Sequence, residues 1–141
     1  MARNDNDPED VLRRLEAAAA QHDLDALVDC FAPDYGNETP VHPARGFRGR
    51  EQVRANWRQI FAGVPDLHAR VVRSAVRERE VWSEWEMSGT RRDGRRHLMR
   101  GVVIFETDGD RMTSARFYLE PVDESPSGVD DAVRSVVGGT P

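Results

Sequence analysis

The 141-residue sequence has no lysine, a single cysteine and no long apolar run. Cys30 alone cannot close an internal disulfide, and no Cys/His spacing suggests a structural zinc site, so neither a metal nor another cofactor is expected. No apolar stretch approaches the roughly 20 residues that span a bilayer, and residues 1–10 are polar and acidic where a signal peptide would be apolar. A cytoplasmic protein without a membrane partner is the resulting expectation. Leu, Ile, Val and Phe total 30, about a fifth of the chain and near the floor for a folded domain, so their placement is informative. With lysine absent, all 20 basic residues are arginine, and 25 acidic residues leave a net charge of −5. Arg91, Arg92, Arg95 and Arg96 do cluster, but around Asp93-Gly94, a hairpin-turn signal. A basic loop tip on an acidic chain is ordinarily a solvated loop, and nucleic acid is not an expected partner.

The residues that are present are well punctuated and fit one domain over residues 8–122, between a disordered N-terminus (1–7) and a flexible C-terminal tail (123–141). Asp7 can cap a first helix, with Pro8 at its first position and Glu9 and Asp10 favouring its positive end. Val11, Leu12, Leu15, Ala18 and Ala19 follow at helical spacing. Asp23 starts a second stripe of Leu24, Leu27, Val28 and Phe31, which Pro33 ends. A short extended segment spans Tyr35 to His42, then a loop holds Gly46 and Gly49. A third helix runs from about Arg50 to Ala62, with Val53, Trp57, Ile60 and Phe61 on one side.

From Asp66 onward the period becomes that of a strand. Leu67–Glu78, Val81–Thr90, His97–Thr107 and Met112–Val122 are four expected strands, with hairpin turns at Asp93-Gly94 and Asp108-Gly109. Helices followed by a run of antiparallel strands make an α+β layout. Beyond Glu124 the chain is rich in Ser, Gly, Pro and Asp, with a short helix expected around Val129 to Val137.

Alternation assigns the faces of the sheet. Val81, Ser83, Trp85 and Met87 share a side with Met99, Gly101, Val103 and Phe105, and with Ala115, Phe117 and Leu119. Glu84, Glu86, Arg100, Arg116 and Glu120 fall on the other side, where cross-strand ion pairs on a solvated face are the expectation. That outer side also carries Trp82, Tyr118, Val102 and Ile104, an apolar surface suited to a homodimer.

In order and spacing, this pattern resembles the nuclear transport factor 2-like fold, in particular its SnoaL-like branch. The resemblance spans Pro8 to Val122. It rests on Leu27-Val28-Asp29-Cys30-Phe31-Ala32-Pro33-Asp34, on Gly46-Phe47-Arg48-Gly49-Arg50-Glu51-Gln52-Val53, and on Phe105 four residues before Gly109. It implies a cone: a strongly curved antiparallel sheet wrapped around three N-terminal helices, with a cavity inside and dimerisation through the outer side.

The resemblance also implies three catalytic patterns. The limonene epoxide hydrolase branch uses Tyr-x-Asn to hold a water, present as Tyr35-Gly36-Asn37. Its Arg-x-Asp is replaced by Trp85-Glu86-Met87, and its last-strand Asp by Phe117. The ketosteroid isomerase branch places its proton-shuttling Asp where Thr39 precedes Pro40-Val41, and its hydrogen-bonding Asp where Gly101 stands. The acid of the SnoaL polyketide cyclase again falls at Phe117. Each pattern has lost its key acid.

What remains for the interior is Trp85, Met87, Met99, Phe117 and Leu119, with Ile60 and Trp57 from the third helix. Tyr35, Asn37, Thr39 and His97 are the polar groups, and His42 is placed at the cavity mouth. An apolar hollow with a few polar anchors suits a small, largely apolar molecule. An enzyme of the hydrolase, isomerase or cyclase type using Tyr35, Asn37 and His97 is the alternative. A dimerisation module whose core is plugged by Trp57, Trp85 and Phe117 is a third reading. An inward-pointing carboxylate would favour the enzyme, and none is expected from Glu84, Glu86 or Glu120.

Overall fold

The Asp7 carboxylate accepts the Glu9 backbone N–H at 2.9 Å and Pro8 fills the first helical position, which starts α1 (Pro8–Ala20). The computed structural model describes residues 7–138. Residues 1–6, most of the expected disordered N-terminus, and the last three residues of the expected tail lie outside that range.

Val11, Leu12, Leu15, Ala18 and Ala19 form the buried face of α1. Asp23 caps α2 (Leu24–Asp29) by accepting the Ala26 N–H at 3.1 Å. The stripe expected to run through Phe31 stops earlier: Phe31 opens β1 (Phe31–Glu38). The physical reason is a hydrogen bond from Met112 N–H to the Cys30 carbonyl at 2.8 Å, which captures the chain into the sheet one residue after the helix. Pro33 therefore does not end a helix. It sits in the irregular stretch between Phe31 and Gly36, where the register with the last strand shifts and no ladder N–H is required of it.

A single 3-10 turn (Pro43–Arg45) and β2 (Phe47–Arg48) lead into α3 (Arg50–Gly63). Four long strands follow: β3 (His68–Arg77), β4 (Glu80–Thr90), β5 (Arg96–Asp108) and β6 (Arg111–Pro121). They form an antiparallel meander, and the six-stranded order is β2-β1-β6-β5-β4-β3. β1 joins β6 in parallel, so the sheet is mixed.

Strand parity follows the alternation. Val81, Ser83, Trp85 and Met87 are buried under the helices. On the outer side, burial's upward push on the Glu86 carboxyl is outweighed by the Arg100 and Arg70 guanidinium groups, which hold it below its ordinary range. Trp82 and Tyr118 are 47% and 37% exposed there, but Ile104, on a central strand between Trp82 and Arg116, is buried. Only glycine fits at Gly101 of β5: its φ is +154°, and a Cβ would lie 2.1 Å from the Tyr118 carbonyl oxygen. After β6 the chain forms α4 (Val129–Val137) at the position expected, with no buried residue. No helix among the described residues is long and apolar enough to cross a membrane.

Candidate functional site

Between α3 and the inner face of the sheet lies a cavity of about 430 Å³. β1 contributes Phe31, Tyr35 and Asn37 to its wall, and α3 contributes Val53, Trp57 and Ile60. The meander supplies Met87 from β4, His97 and Met99 from β5, and Phe117 and Leu119 from β6. Thr39, just past β1, also lines it. Trp57 and Phe117, which the third reading has plugging the space, stand in its wall.

Trp85 is not part of this wall. It is 3% exposed and belongs to the core, where its indole N–H donates to Ser83 Oγ at 2.9 Å, and Ser83 in turn donates to the Val103 carbonyl at 2.7 Å. Parity put it on the correct face. Position along the strand decided its role, because α1 packs against β4 and fills the space there.

The inner polar group is a pair. The Tyr35 hydroxyl donates to Asn37 Oδ1 at 2.8 Å, and the two residues are 1% and 8% exposed. Burial pushes the Tyr35 phenol far above its ordinary range, so it stays protonated and acts as the donor. This bond takes one of the two lone pairs of Asn37 Oδ1, and the Asn37 amide N–H groups have no hydrogen-bond partner among the described residues. Phe31 meets the Tyr35 ring edge-on at 4.7 Å and fixes it further. His97 stands in the wall as a half-buried residue. Burial, and then the nearby Arg91 charge, lower its pKa and favour the neutral imidazole.

The mouth differs from expectation. Glu120, which alternation assigns to the outer side, lines the cavity together with Arg45 and Pro121. β1 stops at Glu38, opposite Arg116, and leaves β6 without a neighbour on that side beyond this point. The Glu120 side chain turns around this free edge: its Oε1 meets His42 Nε2 at 2.5 Å, and its Oε2 lies 3.8 Å from Arg45 Nη1. His42 is therefore at the mouth, as expected, but through a partner that the alternation misplaced. The available signal was Pro40 and Pro43, which keep β1 short and leave the last residues of β6 paired on the β5 side alone. Arg45, Phe47 and Asn56 also belong to the wall and were not singled out from the sequence.

Among the described residues no cluster of three or more His, Cys, Asp or Glu could hold a metal ion. Residues 12–115 match the SnoaL-like domain family. The chain belongs to that family.

Solved structures share its fold. A candidate polyketide cyclase, IdmH from Streptomyces antibioticus, aligns with a TM-score of 0.70 and 22% identity, over 80% of this chain and 91% of its own. An LEH-like epoxide hydrolase from M. tuberculosis gives 0.68 and 18%, over 80% and 82%. A hypothetical protein of ketosteroid isomerase-like fold from Catenulispora acidiphila, solved in complex with trimethylamine, gives 0.66 and 19%, over 77% and 84%. No curated protein matches the chain.

Proposed function

We propose that this SnoaL-like domain binds a small, largely apolar molecule in the cavity between sheet and helices. The observation that carries this reading is the open hollow itself, about 430 Å³ and walled mainly by Trp57, Ile60, Met87, Met99, Phe117 and Leu119. Its size falls in the range of small-molecule sites, and Asn37, Thr39 and His97 supply the few polar contacts that orient a ligand. The reading includes a cytoplasmic homodimer, with Trp82 and Tyr118 of the outer sheet face as its contact.

Native mass spectrometry of the purified protein tests both parts. The expected spectrum is a dimer carrying a small adduct that is lost on denaturation. A folded Ile60→Trp variant, which fills the hollow, is expected to lose the adduct and keep the dimer. An adduct that survives this substitution would place binding elsewhere.

A hydrolase, isomerase or cyclase is the second reading, and one observation favours it: the Glu120 carboxylate in the wall. Tyr35, Asn37 and His97 are its other polar groups. Conversion of an added epoxide or ketone by the wild type, lost in Asn37→Ala, would establish it in place of simple binding.

A further inference from the structure

The Glu120 carboxylate gives the cavity a second polar end. His42 and Arg45, which hold it, both lie on the loop between β1 and β2, where Pro40 and Pro43 restrict the backbone. That loop closes on itself through His42 N–H to the Thr39 carbonyl at 2.8 Å and Arg45 N–H to the His42 carbonyl at 2.9 Å. One short, braced segment thus holds the carboxylate, whose remaining lone pairs can accept from a ligand in the cavity that Glu120 lines. An ionised carboxylate only accepts hydrogen bonds. The inner end adds donors: the Asn37 oxygen already accepts from Tyr35, and the Asn37 amide N–H groups have no hydrogen-bond partner among the described residues. The glutamate side chain is 38% exposed at the mouth, whereas Asn37 is 8% exposed at the inner end.

We propose that the cavity reads a two-headed ligand: an apolar, ring-sized molecule that donates a hydroxyl to Glu120 and accepts the Asn37 N–H at a carbonyl oxygen. This rests on the binding reading above and adds the ligand's chemical class and direction. A neutral hydroxyl fits Glu120 better than an ammonium does. The Arg45 guanidinium already stands beside the carboxylate and repels a second cation, while a hydroxyl makes a charge-assisted bond without that opposition.

Calorimetric titration of the intact protein with a square of matched probes tests the assignment. 4-Hydroxyacetophenone carries both heads, 4-methoxyacetophenone lacks the donor, 4-ethylphenol lacks the carbonyl, and 4-ethylanisole lacks the hydroxyl and the carbonyl. 4-Hydroxyacetophenone is expected to bind tightest, and methylation of its hydroxyl to weaken binding about tenfold, as loss of a hydrogen bond to a charged group does. Glu120→Ala should erase the hydroxyl preference and keep the carbonyl preference. Asn37→Leu should do the reverse. Glu120→Gln keeps an acceptor without the charge and should narrow the hydroxyl preference without abolishing it, a second readout should the alanine variant fold poorly. Equal binding of the hydroxyl and methoxy probes, or tighter binding of 4-(aminomethyl)acetophenone, overturns this inference and leaves the cavity a binding site. Binding of none of the probes rejects the binding reading and this inference with it.

Discussion

His97 stands where the Arg91–Arg96 hairpin meets the cavity wall, and its environment makes it a sensitive reporter. Burial and then Arg91 lower its pKa from the ordinary 6.5, so the folded protein takes up the proton less readily than the unfolded chain. The stability that neutral His97 permits is therefore complete above pH 6.5 and declines as the pH falls through the window below it. His97→Gln cannot titrate. Its thermal midpoint is expected to fall less than that of the wild type between about pH 7 and pH 5.5. Parallel slopes for the two proteins in a thermal melt series would show that the imidazole is fully solvated. At this scale the sequence was legible in part. Alternation placed His97, Met87, Met99, Phe117 and Leu119 on the correct side of the sheet, and Tyr35-Gly36-Asn37 was visible as a unit. Glu120 was misplaced, because alternation fixes where its Cβ points and not how far a long side chain reaches around a free strand edge.

At the scale of elements, turn and cap chemistry determined most boundaries. Asp7-Pro8 and Asp23 start their helices as their side chains dictate, and Gly94 and Gly109 take the positive φ that the hairpin turns need. The junction between α2 and β1 was not legible. Leu24, Leu27, Val28 and Phe31 fit a helical stripe, and only pairing with β6, a partner some 80 residues away, converts Phe31 to strand. The parallel pairing of β1 was hidden for the same reason, since no local pattern reveals a strand's partner. Gly101 is the element-scale residue with the clearest consequence. Gly101→Ala sets a Cβ against the Tyr118 carbonyl at a φ that alanine rarely adopts. It is expected to destabilise the fold by about 2 kcal/mol or more in urea denaturation. A change near zero would mean that β5 and β6 separate easily at this position.

At the scale of the molecule, two surfaces of opposite character share one curved sheet. The inner surface, covered by α1, α2 and α3, divides into a filled half around Trp85 and Phe105 and an open half under α3. Which half a residue joins depends on where the helices lie along the strands, and periodicity carries no such information; this is why Trp85 was expected in the cavity. The outer surface interleaves ion pairs such as Arg73–Glu84 at 3.0 Å with the exposed Trp82 and Tyr118. If it is the dimer contact, Trp82→Arg should shift the sedimentation profile at micromolar concentration from dimer to monomer without altering the fold. An unchanged profile would assign association to another surface.

Three methionines of the described chain test the cavity most directly, because two line it and the third does not. Met87 and Met99 are in the wall, whereas Met112 is fully buried in the core beside it. Methyl NMR of the wild type, titrated with a small apolar probe such as 4-ethylanisole, is expected to shift the Met87 and Met99 resonances in a saturable way and leave Met112 in place. Saturating shifts confined to other residues, or no shift at any methionine, would contradict a ligand site between α3 and the sheet.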